Sequence, residues 1–198
     1  MRARPSVPRG LLYNRAMALS IYLAGPDVFL PDARRVGAEK VAICAELGFE
    51  GLFPLDADVT PDPSAIFAGN RELMLRADVG LFNLTPFRGP SADAGTTLEL
   101  GFMAALGKPV YGYSGTAVEF RERVAARFGV ARRDGRLWGG DGLAVEDFGL
   151  RDNLMVDGAI EAIGGDFVTL EGEGEEGGLA AFAAFRACLE RVRARRRG

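Results

Sequence analysis

Val79-Gly-Leu-Phe-Asn-Leu84, followed by Thr85-Pro-Phe-Arg-Gly-Pro-Ser-Ala-Asp-Ala-Gly95 and Thr96-Thr-Leu-Glu-Leu-Gly-Phe-Met-Ala-Ala-Leu106, decides the fold class. An apolar run short enough to be a buried strand empties into a loop of Pro, Gly, Ser and Asp. A helical pattern follows, and Gly107 stops it. Strand, crevice-forming loop and helix in that order are the unit of an open α/β sheet, in which ligands bind beyond the carboxyl ends of the strands. Glu99 is expected in the first turn of this helix. That places a carboxylate at the crevice before any likeness is considered.

The same unit recurs on both sides. Leu19 to Ala24 reads as a buried strand ending in Gly25-Pro26, and Asp32 to Leu47 as a helix with Val36, Val41, Ile43 and Leu47 on one face. Phe49 to Phe53 is a strand and Pro54 to Pro63 a loop. Ser64 to Ala77 is a helix, Pro109 to Tyr113 a strand and Thr116 to Phe128 a charged amphipathic helix. Gly129 to Gly149, with six glycines and the sole tryptophan, Trp138, reads as a long loop or flap. Arg151 to Ile163 and Leu179 to Arg195 are further helices, separated in part by a Glu/Gly spacer at Glu171 to Gly178. Strands alternating with helices at this spacing predict an α/β fold: a parallel sheet of about five strands with helices on both faces. Right-handed crossovers then bring three loops to one edge: Gly25 to Pro31, Thr85 to Gly95 and Ser114 to Gly115. Residues 1–16 are expected to be a peripheral arm and 17–198 a single domain.

Composition narrows the chemistry. The 198 residues are 48% apolar and carry a net charge of −3, which speaks against a nucleic-acid surface. There is no histidine, so Ser-His-Asp and Cys-His catalysis and histidine-ligated metal sites are excluded. Two distant cysteines suggest neither zinc nor a disulfide framework and fit a reducing cytoplasm, with Cys44 a small buried hydrophobe. No apolar run reaches membrane-spanning length. Gly25-Pro26 lacks the spaced glycines of a dinucleotide fingerprint, and no Walker lysine motif occurs, so a tightly held nucleotide cofactor is not expected.

Each residue at the predicted crevice has two readings. Thr96-x-x-Glu99 has the spacing of a capping box, and an acid there suits the helix dipole, which would lower its pKa. An ionised carboxylate in a crevice also attacks an anomeric carbon. Asp93 forms an Asx-turn or hydrogen-bonds a base or sugar. Asn70 is a surface amide or a site residue, and Tyr22 a core tyrosine or a side chain facing the crevice. Asp27 and Phe29 sit in the first strand-end loop. Arg88 and Ser91 decorate the loop or contact phosphate. Gly95 makes the turn or admits a ligand close to the backbone.

Taken together, Ile21-Tyr-Leu-Ala-Gly-Pro-Asp-Val-Phe29, Asn83-Leu-Thr-Pro-Phe-Arg-Gly-Pro-Ser-Ala-Asp-Ala-Gly-Thr96, Leu98-Glu-Leu-Gly-Phe102 and Asp152-Asn-Leu-Met155 resemble the nucleoside 2-deoxyribosyltransferase family. The resemblance runs in order from about residue 19 to about residue 160. It implies a flavodoxin-like doubly wound fold and transfer of 2-deoxyribose between nucleobases, with no metal or cofactor. It makes Glu99 the nucleophile of a covalent deoxyribosyl-enzyme, has Asp93 contact the nucleobase and support its protonation, and has Tyr22 orient Glu99. Gly25, Asp27, Phe29, Arg88, Ser91 and Gly95 fall among the binding positions. Asn153 matches a residue that reaches from a neighbouring subunit to the sugar hydroxyls, which implies a homo-oligomer with shared sites. Two departures stand out. Many members carry aspartate where Asn70 aligns, and an amide hydrogen-bonds but cannot deliver a proton by ionising. The stretch from Glu99 to Asn153 is also longer than in the short bacterial members.

Two other functions use the same crevice. One is an N-glycoside hydrolase acting on (deoxy)nucleosides or their 5-monophosphates, with water as acceptor. Gly95-Thr-Thr-Leu-Glu99 echoes the Gly-Thr-x-x-Glu turn of the cytokinin-activating phosphoribohydrolases, but their preceding Pro-Gly-Gly is missing. The other is a non-catalytic nucleoside-binding module, for which Asn70 is the argument.

Overall fold

A computed structural model describes residues 18–54, 62–170 and 178–197. The expected arm at residues 1–16, and most of the loop at Pro54 to Pro63 and of the Glu/Gly spacer, lie outside the described residues. Five parallel strands form the sheet: β1 (Leu19–Ala24), β2 (Phe49–Leu52), β3 (Val79–Asn83), β4 (Val110–Ser114) and, later in the chain, a strand at Phe167–Thr169. The last pairs beside β4, so the order across the sheet is 2-1-3-4-5, counting only these strands. That is the flavodoxin-like order, which reverses between β1 and β3 and opens a crevice there.

The helices are α1 (Ala33–Glu46), α2 (Pro63–Arg76), α3 (Ala94–Ala105), α4 (Phe120–Phe128), α5 (Leu154–Ala162) and α6 (Phe182–Arg197). Strand alternation divides the core. Ile21, Leu23, Leu81, Tyr111 and Tyr113 point to one face and pack with Ile43 and Cys44 of α1 and Phe185, Cys188 and Leu189 of α6. Tyr22, Ala24, Phe82 and Val110 point to the other face, against Met74 of α2, Leu100 and Met103 of α3, and Val156 and Ile160 of α5. Burial on both faces explains why these strands read as continuous apolar runs. Cys44 is buried in the core, as expected. Lys108 donates to the Met74, Leu75 and Ala77 carbonyls at 2.9, 2.6 and 2.6 Å, which satisfies the open end of α2 and seats that helix beside the sheet.

Two expectations need correction, and one strand went unplaced. The predicted flap at Gly129 to Gly149 contains a hairpin, β5 (Val130–Arg133) and β6 (Arg136–Gly139), joined at Asp134-Gly135. Both turn residues have positive φ, 49° and 77°, the geometry a two-residue hairpin turn demands, and Asp-Gly is its sequence signature. Helix α4 starts at Phe120 rather than Thr116, because Thr116 and its neighbours turn on their own side chains, Thr116 Oγ1 accepting from Val118 N at 3.2 Å. The fifth sheet strand, numbered β7 in chain order, is only Phe167–Thr169, too short for periodicity to single out. Among the described residues no helix is long and apolar enough to cross a membrane.

Candidate active site

The helix carrying Glu99 begins earlier than its Thr-x-x-Glu spacing suggests. Asp93 is the N-cap, with Oδ2 accepting from Thr96 N at 2.9 Å and Thr96 Oγ1 at 3.1 Å. Glu99 therefore lies in the second turn, and the capping-box reading is overturned. Two capping patterns overlap in this segment, and Asp93 takes the role because Glu99 is drawn elsewhere. Its Oε1 accepts from Asn70 Nδ2 of α2 at 3.1 Å. The carboxylate thus bridges two helices rather than serving its own backbone.

Its electrostatics are also the reverse of the dipole expectation. Burial pushes the Glu99 carboxyl above the ordinary value, the neighbouring Tyr22 hydroxyl and the Asn70 bond pull it back, and nearby Asp93 adds to the rise. Tyr22, on β1, is fully buried, and its hydroxyl makes no well-formed hydrogen bond among the described residues. Burial, then the adjacent Glu99 charge, holds this phenol far above its usual range, so it stays protonated. The structure brings together Glu99, Asn70, Tyr22 and Asp93 from three elements, at the point where the strand order reverses.

The end of β1 is held from below. Gly25 leads into a single-turn 3₁₀ helix at Pro26–Phe29. A Cβ on Gly25 would come within 2.4 Å of Asn83 Cβ, so this glycine is required by close packing of the two strand ends. Asp27 is 1% exposed and does not line an open surface. Its Oδ1 accepts from Asn83 Nδ2 at 2.8 Å and lies 3.0 Å from Lys40 Nζ. Lys40 also donates to Tyr113 Oη at 2.8 Å and sits over the Tyr113 and Phe185 rings. Burial pushes the Asp27 carboxyl up and the Lys40 ammonium down, and their mutual attraction opposes both. Asn83 Oδ1 accepts from Thr85 Oγ1 at 2.6 Å, and Thr85 Oγ1 accepts from Gly115 N at 3.0 Å. The three predicted strand-end loops are therefore linked by one chain of hydrogen bonds.

At the mouth, Phe29 is 58% exposed and stacks on Phe87, with ring centroids 5.0 Å apart and planes 13° from parallel. The Arg88 guanidinium covers this pair, 4.9 Å from the Phe87 centroid. Arg88 has φ 56°, an unfavourable conformation for a side-chain-bearing residue, of the kind that clusters at functional sites. Gly95 lies in the first turn of α3, where an added Cβ would meet Asp93 Oδ2 at 3.0 Å.

Ser91 and Asn153 are engaged within the chain. Ser91 Oγ donates to Asp152 Oδ1, and Ala92 N donates to Asp152 Oδ2 at 2.9 Å. Asn153 is the N-cap of α5, its Oδ1 accepting from Met155 N at 3.0 Å and its Nδ2 donating to Glu146 Oε1 at 2.7 Å. Sequence reasoning singled out neither Phe87, Lys40 and Asn83 nor Asp152 and Arg123. Phe87 and Asn83 lay inside the quoted motif, and Asp152 opened the Asp-Asn-Leu-Met run. Lys40 and Arg123 sit in helical patterns that mark them as surface charges.

A half-buried carboxylate at the switch point of a doubly wound sheet is the arrangement on which α/β enzymes commonly build small-molecule sites. The profile described as nucleoside 2-deoxyribosyltransferase matches residues 21–155, a span that includes every residue of this cluster. A solved structure described as a 2-desoxiribosyltransferase from Leishmania mexicana is 32% identical, covers 70% of this chain and 85% of its own, and superposes with a TM-score of 0.58. An uncharacterized protein of Schizosaccharomyces pombe is 34% identical over 195 residues, covering 88% of this chain and 89% of that protein. The chain belongs to the nucleoside 2-deoxyribosyltransferase family.

Proposed function

We propose that this protein transfers 2-deoxyribose from one nucleobase to another through a covalent intermediate on Glu99. The observation that carries the reading is the Glu99 side chain itself. It leaves its own helix backbone, is held by Asn70, and has the Tyr22 hydroxyl beside it at the strand-end crevice. In the first step a Glu99 oxygen bonds to C1 of the sugar as the C–N bond breaks. The base departs with the bonding pair and takes up at a ring nitrogen a proton that the Asp93 carboxyl relays from solvent. In the second step a ring nitrogen of another base attacks C1, the ester bond to Glu99 breaks, and the incoming base sheds its proton. Two inversions give net retention. A 2-hydroxyl would withdraw electrons from the oxocarbenium-like transition state, so a deoxy sugar suits this chemistry.

Phe29, the exposed member of the stacked Phe29–Phe87 pair, offers a flat apolar ring for the base. The groove between α3 and α5, about 560 Å³ and lined by Asn153, Met155 and Val156, is the face that a second copy would cover in a shared-site oligomer. Incubation with deoxyadenosine and a second free base tests the reading. The expected product is the exchanged deoxynucleoside, with a deoxyribosyl adduct trapped on Glu99. Free sugar released at the same rate with and without acceptor would instead identify a hydrolase. Binding without turnover in both wild type and Glu99→Ala would identify a sensor.

A further inference from the structure

Asp152 is the centre of a clamp that none of the steps above uses. It is 1% exposed, and its two oxygens accept from the Ser91 hydroxyl, Ala92 N at 2.9 Å, Asn153 N at 2.8 Å and Arg123 Nη2 at 3.3 Å. Arg123, on α4, adds a bond from Nε to the Pro90 carbonyl at 2.6 Å and from Nη2 to the Arg151 carbonyl at 2.6 Å, and Nη1 donates to the Val118 carbonyl. One ion pair therefore grips three consecutive residues, Pro90, Ser91 and Ala92, from outside the sheet. The next residue is Asp93, the N-cap of α3.

Buried carboxylates accept several bonds only where those bonds replace lost hydration, so the grip is specific to this geometry. Within the loop, Phe87 N adds a bond to the Ser91 carbonyl at 3.0 Å, while Asp93 itself is held on its helix side by Thr96 N, so the clamp secures the stretch that leads into this N-cap. Resting on the proposed function, we infer that Asp152, seated by Arg123, is a positioning residue that holds Asp93 in register with the departing base. Displacement of a proton-transfer group by about 1 Å costs on the order of 100-fold in rate, so a small slackening of this loop is kinetically visible.

The test uses the full chain carrying Asp152→Asn, with two donors. One is deoxyadenosine, whose base must be protonated to leave. The other is p-nitrophenyl 2-deoxyriboside, whose nitrophenolate leaves without a proton. The expected result is a loss of about 10-fold or more in kcat for deoxyadenosine, with kcat for the activated donor within about two-fold of wild type. Amide exchange of the peptide spanning residues 86–98 should rise, while that of β3 and α6 stays unchanged. Equal losses with both donors, or unchanged exchange in a folded variant, would overturn the assignment. If Asp152→Asn fails to fold, Arg123→Lys serves in its place, since it keeps the charge but cannot span the same acceptors. A wild type inert on both donors counts against the proposed function, and the exchange measurement then decides the clamp on its own.

Discussion

Asn70 Nδ2 donates to Glu99 Oε1 across 3.1 Å, joining α2 to α3 through the proposed nucleophile. A neutral amide in this place orients the carboxylate and favours its ionised form, whereas an acid there would compete with it. The departure from the aspartate common in the family thus has a local consequence for Glu99.

Asn70→Asp should move the acid limb of kcat/KM to higher pH. Burial already holds the Glu99 carboxyl above its ordinary value, and the substitution removes a donor and adds a like charge. A rise of about one pH unit is expected from initial rates between pH 4 and 8. An unmoved limb would show that Asn70 does not set the ionisation of Glu99.

Glu99→Gln should abolish exchange yet stabilise the fold at neutral pH. Because the folded-state pKa is raised, native Glu99 holds its proton more tightly than the unfolded chain does. Stability is then lost as pH rises from the unfolded value, about 4.3, through the folded one. The variant escapes this loss, so its melting temperature should exceed wild type at pH 7, with the gap closing below about pH 4. A lower melting temperature at pH 7 would contradict the burial argument.

Lys40→Met should destabilise the protein by about 3–5 kcal/mol, because Asp27 would be left buried without its counter-charge. Adding Asp27→Asn should recover part of the loss. Urea unfolding of the single and double variants measures both; a single-variant cost under about 1 kcal/mol would mean that water or another cation reaches Asp27.

Phe29→Ala should leave the melting temperature nearly unchanged, since the ring is mostly exposed. If the Phe29–Phe87 pair stacks a base, KM should rise about 10-fold, in line with roughly 1–3 kcal/mol for base–aromatic stacking. Unchanged KM with several bases would remove this surface from the binding site.

The sheet and its helices were legible because their signals are local. Leu19 to Ala24 and Val79 to Asn83 are apolar runs bounded by turn residues, and α1 and α3 end where Gly48 and Gly107 break the helical pattern. The Asp134-Gly135 hairpin was equally local, but a glycine-rich stretch hid it. Glu99 and Asp93 were also placed in the crevice by their position after a strand. Their capping roles were not resolved, since in Asp93-x-x-Thr96 and Thr96-x-x-Glu99 two carboxylates compete for the same Thr96 amide.

Order along the chain thus carries the fold class, the crevice and its carboxylates, because burial and turn chemistry act over a few neighbouring residues. Only folding brings Asn70 to Glu99, Lys40 to Asp27, and Asp152 with Arg123 to the loop before Asp93. Lys40 and Asp27 lie 13 residues apart, Asn70 and Glu99 29, and Ser91 and Asp152 61. A charge on a helical pattern looks the same whether it ends in water or against a buried counter-ion; desolvation and partnership, which belong to the packed molecule, make the difference.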